Sequence, residues 1–299
     1  MSMSGSDRPG IHFALNGPVE QRVPCPQCAK GDRKTTLGIN VVTGVFHCFR
    51  CEWKGRTDRD PRAPSTRTIA RVNDPALVER KRERLRMTWR ETVPLSHSSA
   101  HAIRAYLASR GLVDILKNPP KVLRAHPNLK YWDGMQALAC FPAMIAMFHD
   151  AFSNPVTLHV TYLRLDGCAK ASVPAPKKIL AAPVRGATKG GAIHLYNPRD
   201  GVLGVAEGIE SALSLHLIRE VPVWASFCAD NMARIQLPAG LRELQIGVDI
   251  DESGKGRQAA ESLVRRVKQR SPRTKCFYIT PEIPGFGDLN DELLRRGGR

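Results

Sequence analysis

Three carboxylates and four thiols carry most of the chemistry this sequence can do. Glu207 closes an apolar run, Val202 to Ala206, and passes through Gly208 into a helical pattern, VLGVAEGIESAL. About forty residues on, Leu244 to Asp251 (LQIGVDID) repeats the form, an apolar run ending in Asp249 and Asp251. Alternation of side chains along an extended chain puts Asp249 and Asp251 on one side, roughly 7 Å apart. With Glu207 beside them, three like charges repel by several kcal/mol at an effective dielectric of about 20. A hard divalent cation relieves that repulsion, and Mg2+ in particular is held by one or two carboxylates plus substrate phosphates. The plainer alternative is that Asp249 and Asp251 cap the turn into the helix that begins near Gly256.

The thiols form two pairs, Cys25-x2-Cys28 and Cys48-x2-Cys51, with 19 residues between them. Such spacing fits a structural zinc site with four thiolate ligands, a zinc ribbon. Short strands are expected at Thr35–Ile39 and Val45–Cys48, around a Thr43-Gly44 turn. So short a segment cannot bury enough apolar surface to fold unaided, so the metal supplies the folding energy. His47 stands beside Cys48 but is left out of the ligand set, because the symmetric pairs need no help. Basic residues Lys30, Arg33, Lys34, Arg50 and Lys54 and the rings Phe46, Phe49 and Trp53 give the ribbon charge for phosphates and surfaces for stacking on single-stranded bases. Lys34, Phe49, Arg50 and Trp53 are the candidate template contacts. Phe46 is expected in the ribbon's own core, and which ring faces a base stays open.

The elements that must hold the carboxylates follow from the apolar pattern. Val202, Leu203, Val205 and Ala206 are too continuously apolar for a half-exposed strand and suit a parallel strand covered on both faces. Ligands in open α/β sheets bind at the carboxyl ends of such strands. A helix to Ile218 follows, then a strand in VPVWASFCA, a short helical piece near 231–235 and the Asp249 strand. GRQAAESLVRRVKQR reads as an amphipathic helix and KCFYIT as a last strand. Strands alternating with helices argue for a parallel sheet of about four strands with right-handed crossovers. Gly287 to Asp291 (GDLND) places further acids past the last strand, and Asp288 is the candidate for an additional metal contact.

The remaining chain divides by composition. Residues 1–18 carry little periodicity and are expected to be flexible, 19–58 hold the ribbon, and 59–73 are a Pro-, Arg- and Thr-rich linker. Asp74-Pro75 resembles an N-cap and first helical position, opening a helical region over 74–135 whose first, basic helix either tracks a phosphate backbone or is a solvated face. An α+β middle region spans 136–200, with a hairpin turning at Ser153-Asn154-Pro155, and 201–299 form the parallel α/β domain. Lys170, Lys177 and Lys178 in the middle region are candidates to grip a triphosphate, with ordinary surface lysines as the alternative. The glycine-rich stretches ATKGG and SGKGR lack the G-x4-G-K-[ST] pattern, so no P-loop motor is expected.

Forty-five Lys and Arg against 28 Asp and Glu leave a net charge of +17 over 299 residues, which favours a polyanionic partner, nucleic acid before others. No apolar run approaches the roughly 18 residues of a membrane span, and the first ten residues are small and polar rather than a secretory signal. A cytoplasmic location in a bacterial host, near the nucleoid, is the expectation, with no membrane partner. Eight cysteines in a reducing compartment suggest metal for the paired four and core for the others.

In order and content these features resemble the primases of phages, plasmids and integrative elements, in which a four-cysteine zinc ribbon precedes a Toprim domain. The matches are Cys25, Cys28, Cys48 and Cys51, the AEGIESAL block at Glu207, the VDIDESGKGRQAA block at Asp249 and Asp251, and the GDLND tail at Asp288. The segment TYLRLDG…KA…PKKIL…GGAIHLY also looks like the region preceding Toprim in mobile-element primases. The resemblance implies a DNA primase that makes short RNA primers, with Glu207, Asp249 and Asp251 holding Mg2+ (or Mn2+) for nucleotidyl transfer. It implies one structural Zn2+, a ribbon that reads single-stranded DNA template, nucleoside triphosphate substrates and a replicative helicase acting in trans. Some replicative primases carry another acid one turn after the Glu. Here that position is Ser211, which leaves the metal site poorer or completed by Asp288. Two other readings compete: a Toprim nuclease using the same acids for phosphodiester cleavage, and a non-catalytic, zinc-dependent single-strand-binding replication accessory.

Overall fold

The computed structural model describes residues 20–28, 35–40, 45–56, 74–133, 136–282 and 287–297. The N-terminal 18 residues, Lys30, Arg33, Lys34, the Thr43-Gly44 turn and the linker at 59–73 lie outside the described residues. The chain divides into two compact units, residues 1–74 and 75–299.

In the first unit, four short strands form one antiparallel sheet in sequential order: β1 (Glu20–Val23), β2 (Leu37–Asn40), β3 (Val45–Cys48) and β4 (Lys54–Arg56). The alternation is that of a sheet with one covered face. Leu37 and Ile39 on β2 and Phe46 and Cys48 on β3 turn inward onto Cys25, while their neighbours face water. That core is a handful of side chains, so closure of the unit falls to its cysteines.

The second unit opens with helix α1 (Pro75–Arg90), directly after Asp74, and α2 (His101–Ser109). Leu85 and Trp89 of α1 pack against an aromatic cluster, while Glu79, Arg82, Glu83 and Arg86 pair with one another in solvent. An antiparallel sheet follows in sequential order, with β5 (Leu123–Asp133), β6 (Gln136–His149), β7 (Pro155–Tyr162) and β8 (Lys177–Ile179). The expected hairpin is β6–β7. The stretch expected to be helical up to residue 135 instead ends in the 11-residue strand β5. Pro127 and register shifts at His126/Leu129 and Tyr131/Trp132 break its period-two pattern, which concealed it in the sequence.

The last third builds a five-stranded sheet from β9 (Ile193–His194), β10 (Val202–Ala206), β11 (Val223–Ala225), β12 (Glu243–Gly247) and β13 (Lys275–Ile279). Its order is β13-β12-β10-β11-β9, with four parallel strands and β9 antiparallel at one edge. Helices α3 (Ile209–Arg219) and α6 (Leu289–Arg295) cover one face, and α4 (Ala229–Met232) and α5 (Lys255–Arg270) the other. Leu203, Val205, Leu244 and Ile246 point to the α5 side, whereas Ala206, Val223 and Ala225 point to the α3 side, so β10 is buried on both faces. The two sheets are joined where His149 and Ala192 exchange backbone hydrogen bonds of 2.8 and 3.0 Å. The architecture is the expected one: a small cysteine-bearing sheet, an α+β middle region and a parallel α/β domain. No described helix is long and apolar enough to cross a membrane.

Candidate functional site

The four thiols converge. Cys25, Cys28, Cys48 and Cys51 have sulfurs all within 4.8 Å of one another, with Cys25 to Cys51 at 3.8 Å and Cys28 to Cys48 at 3.7 Å. A tetrahedron of Zn–S bonds of about 2.3 Å has edges of about 3.8 Å, so the sulfurs stand where a tetrahedral zinc site requires them. The residues fit the metal. Burial raises the Cys25 and Cys28 thiols, whereas at Cys48 the N–H groups of Cys51 and Arg50 and the Thr36 hydroxyl outweigh burial and draw the thiol to about 6, so the crowded sulfurs share their protons unequally.

Around this cluster the rings sort themselves. Phe46 is buried, and Trp53 leans on it with ring centroids 4.5 Å apart, so both serve the ribbon's core. Phe49 is 56% exposed, with the Arg22 guanidinium 4.1 Å from its ring centroid. Arg50 donates from its backbone to Cys48 Sγ and from its side chain to the Cys28 carbonyl. Among the described residues of the ribbon, Phe49 is the large ring turned to solvent.

The carboxylates gather at the carboxyl ends of β10 and β12. Glu207 directly follows β10, held by its carbonyl accepting from Phe227 N at 2.8 Å. Asp249 lies two residues beyond β12. Ile250 then exchanges backbone hydrogen bonds of 2.9 and 3.0 Å with Gly287, which brings the GDLND segment alongside. Gly247 permits the approach of α6: a Cβ there would lie 2.9 Å from Leu289 Cδ1 and 3.1 Å from Ala206 Cβ. Asp288 caps α6, its Oδ1 accepting from Asn290 N and Asp291 N, while its Oδ2 accepts from the Ser211 hydroxyl at 3.3 Å. Ser211 therefore meets Asp288 directly.

The electrostatics of this group are those of crowded like charges. Burial, then Asp288, Glu207 and Asp251, push the Asp249 carboxyl up to about 7. Burial and Asp251 likewise raise Glu207, against the pull of Lys177. Asp249 Oδ1 is buried without a hydrogen-bond partner, and a buried acceptor left so is costly. An oxygen-preferring divalent cation would satisfy that atom and the repulsion together, so the donor set fits Mg2+. Glu207, Asp249 and Asp251 would hold it, with Asp288 beside them. Asp251 also supports the turn into α5, accepting from Ser253 Oγ and Gly254 N at 2.8 Å each, so the capping alternative describes Asp251 but not Asp249. The four carboxylates are more widely spaced than the thiols: among the described residues, the cysteines are the one group of three or more potential ligands drawn within 4.8 Å.

Next to the acids lies a site the sequence did not disclose. Glu210, in the first turn of α3, is 6% exposed. Its Oε1 accepts from the Tyr106 hydroxyl at 2.7 Å and lies 3.3 Å from Lys170 Nζ, and its Oε2 is 3.9 Å from Lys177 Nζ. Burial would raise this carboxyl, but Lys177, Lys170 and Tyr106 together hold it at about 2. Lys170 and Lys177 thus share one anchor. Lys178, by contrast, turns the other way: its ammonium donates to the Trp132 carbonyl at 3.0 Å and sits 3.8 Å from the Tyr131 ring centroid. The available signal for Glu210 was its place among Ile209, Ala212 and Leu213 in the first turns of a largely apolar helix, where a charged side chain turned inward demands a partner.

Residues 202–299 match the family model described as a Toprim domain, and residues 79–190 match one described as a domain of unknown function. Three solved structures illustrate what the chain is similar to. The primase fragment of the bacteriophage T7 primase-helicase protein is 18% identical, covers 92% of this chain and 94% of its own, and has a TM-score of 0.39. The DnaG catalytic core is 15% identical over 75% of this chain and 76% of its own, at 0.46. The RNA polymerase domain of the Mycobacterium tuberculosis primase DnaG is 14% identical over 76% and 81%, at 0.42. No curated protein matches the chain. The C-terminal third is a Toprim domain and a four-cysteine cluster stands N-terminal to it, the arrangement expected from the resemblance.

Proposed function

We propose that this chain is a DNA primase that makes short RNA primers on single-stranded DNA by Mg2+-dependent nucleotidyl transfer at Glu207, Asp249 and Asp251. The observation that carries the reading is Asp249: a half-buried carboxylate with one buried, unpartnered oxygen, pressed by Glu207, Asp251 and Asp288 at the carboxyl end of a Toprim strand. Metal ions, when bound, supply an activated 3′-hydroxyl nucleophile and neutralise the departing pyrophosphate. The chain's own part is to place carboxylates from two adjacent strands, Glu207 after β10 and Asp249 after β12, on one rim and to keep that rim partly dry. Burial strengthens every charge interaction there. Lys177, whose charge pulls on both Glu207 and Asp249, stands at the same rim to meet phosphate oxygens, with Lys170 behind it.

In this reading the cysteines hold one structural Zn2+, and the ribbon meets the single-stranded template through Phe49 and Arg50, with the basic Lys34 as a further contact. Template DNA, nucleoside triphosphates and a helicase in trans are the partners, in the cytoplasm of a bacterial host of a mobile element. The test is synthesis of short labelled products from nucleoside triphosphates on single-stranded DNA, with and without Mg2+. Products that require Mg2+ and vanish in Glu207→Gln, while strand binding persists, support the reading. Strand cleavage without synthesis would point to the nuclease alternative.

A further inference from the structure

The anchor beside the acids has more charge than a salt bridge needs. One ammonium neutralises the Glu210 carboxylate, yet two converge on it, and Tyr106 donates a third contact. His159 of β7, buried nearby and kept neutral by burial at about 4, adds no charge. A surplus of one positive charge therefore remains, and it is unevenly placed. Lys170 is the closer partner, with its side chain 27% exposed, while Lys177 lies at 3.9 Å with 41% of its side chain exposed. Glu210 stands three residues after Glu207, in the first turn of the helix that Gly208 opens, so the ammonium it holds lies at the rim where the strand-end acids gather.

The scaffold fixes each member of the group from a different direction. Tyr106 stands on α2, whose C-terminal end is tied to α6 through Asn290 Nδ2 donating to the Arg110 carbonyl at 2.7 Å. Asn290 Nδ2 also donates to Ser214 Oγ, which donates in turn to the Glu210 carbonyl. The loop carrying Lys170 is seated on α2 at Gly167, whose φ of +72° suits glycine and where a Cβ would lie 2.2 Å from the Ala102 carbonyl oxygen. Lys177 opens β8, paired with Thr161 of β7. The carboxylate of Glu210 is the point at which these separate elements agree.

We propose that Glu210 is a positioning residue: its buried carboxylate pins Lys170 and keeps Lys177 leaning toward Glu207 and Asp249, so that the Lys177 ammonium meets the phosphates of an incoming nucleoside triphosphate. The proposal rests on the nucleotidyl-transfer reading and assigns Glu210 no contact with the nucleotide itself. A freely rotating lysine loses rotamer entropy on each binding event, and a pinned one has less to lose. The effect should therefore fall on nucleotide affinity rather than on the chemical step.

The experiment compares wild type, Glu210→Gln, Glu210→Asp, Lys177→Met and the double variant Glu210→Gln/Lys177→Met. Primer synthesis gives KM for the nucleoside triphosphate and kcat, and direct titration with a non-hydrolysable triphosphate analogue in Mg2+ gives affinity without turnover. Positioning predicts a rise in KM of about tenfold in Glu210→Gln with kcat within about twofold, a smaller rise in Glu210→Asp, and a Lys177→Met effect of similar size. The double variant should be no worse than either single, because both remove one unit. Should Glu210→Gln fail to fold, Lys177→Met decides through the same KM and analogue titration. A KM that is unchanged or lower in Glu210→Gln, as two released lysines would give, overturns the proposal while primer synthesis by wild type leaves the primase reading standing. Wild type that neither binds the analogue nor makes primers overturns both.

Discussion

The Tyr106 hydroxyl donates a 2.7 Å hydrogen bond to Glu210 Oε1, joining α2 to the first turn of α3 at a point where both side chains are buried. Although burial opposes it, this bond and the charges of Lys177 and Lys170 hold Glu210 at about 2, below its ordinary 4.5. A carboxylate so depressed stabilises the fold above its unfolded pKa and loses that contribution as pH falls toward the folded one. Wild type should lose on the order of 3 kcal/mol from this group between about pH 4.5 and about 2. Urea unfolding across that window should show the slope in wild type and a shallower one in Glu210→Gln. Parallel slopes would contradict the assignment.

Asp249 has the opposite sign. A carboxyl raised to about 7 in the fold against 3.8 costs stability progressively as pH rises through that window, because the folded state prefers the proton. Metal-free Asp249→Asn should therefore be more stable than wild type at pH 8, by about 2 kcal/mol and several degrees in Tm. Mg2+ should raise the Tm of wild type and leave that of Asp249→Asn nearly unmoved. Thermal melts in chelator and in Mg2+ check both, and an Asp249→Asn melt below that of wild type in chelator would count against crowded charge at this position.

The cysteine sulfurs, 3.7 to 3.8 Å apart across the cluster, predict one zinc per chain. Cys48→Ser should abolish it, removing most of the roughly 10 kcal/mol or more that structural zinc contributes to such a segment. Elemental analysis measures the metal, and hydrogen exchange should show loss of protection confined to residues 20–56. Full zinc occupancy in Cys48→Ser would contradict four-thiolate ligation.

Phe49 and Phe46 separate binding from folding within one ribbon. Phe49→Ala should weaken single-stranded DNA binding by about 1–3 kcal/mol, the range for base stacking on an aromatic ring, with zinc content unchanged. Phe46→Ala, which empties the core beside Trp53, should lower zinc retention first. Fluorescence anisotropy with a labelled oligonucleotide tests the pair, and undiminished binding by Phe49→Ala would remove that ring from the template surface.

Covalent spacing made the zinc cluster legible in the sequence, since two CxxC pairs leave few other uses for the sulfurs. The buried strands β10 and β12 were legible because a parallel strand covered on both faces is apolar throughout. What stayed hidden depended on non-local partners. Strand β5 was masked by Pro127 and two register shifts. The Glu210 anchor draws its partners from 104 residues away on α2 and from the loops around Lys170 and Lys177, which no local pattern brings together. Lys177 and Lys178 are neighbours in sequence, yet strand alternation sends one to Glu210 and the other to Tyr131.

The central claim, a polymerising centre at the strand ends, is met most directly by incorporation of labelled ribonucleotides on single-stranded DNA, comparing wild type with Asp249→Asn and Asp251→Asn at equal DNA occupancy. A metal-dependent centre at these acids predicts short templated products from wild type and a loss of about a hundredfold or more in each variant, with strand binding unchanged. Wild type that binds single strands but makes no product, with or without a helicase supplied in trans, would contradict it and leave a strand-binding accessory in its place.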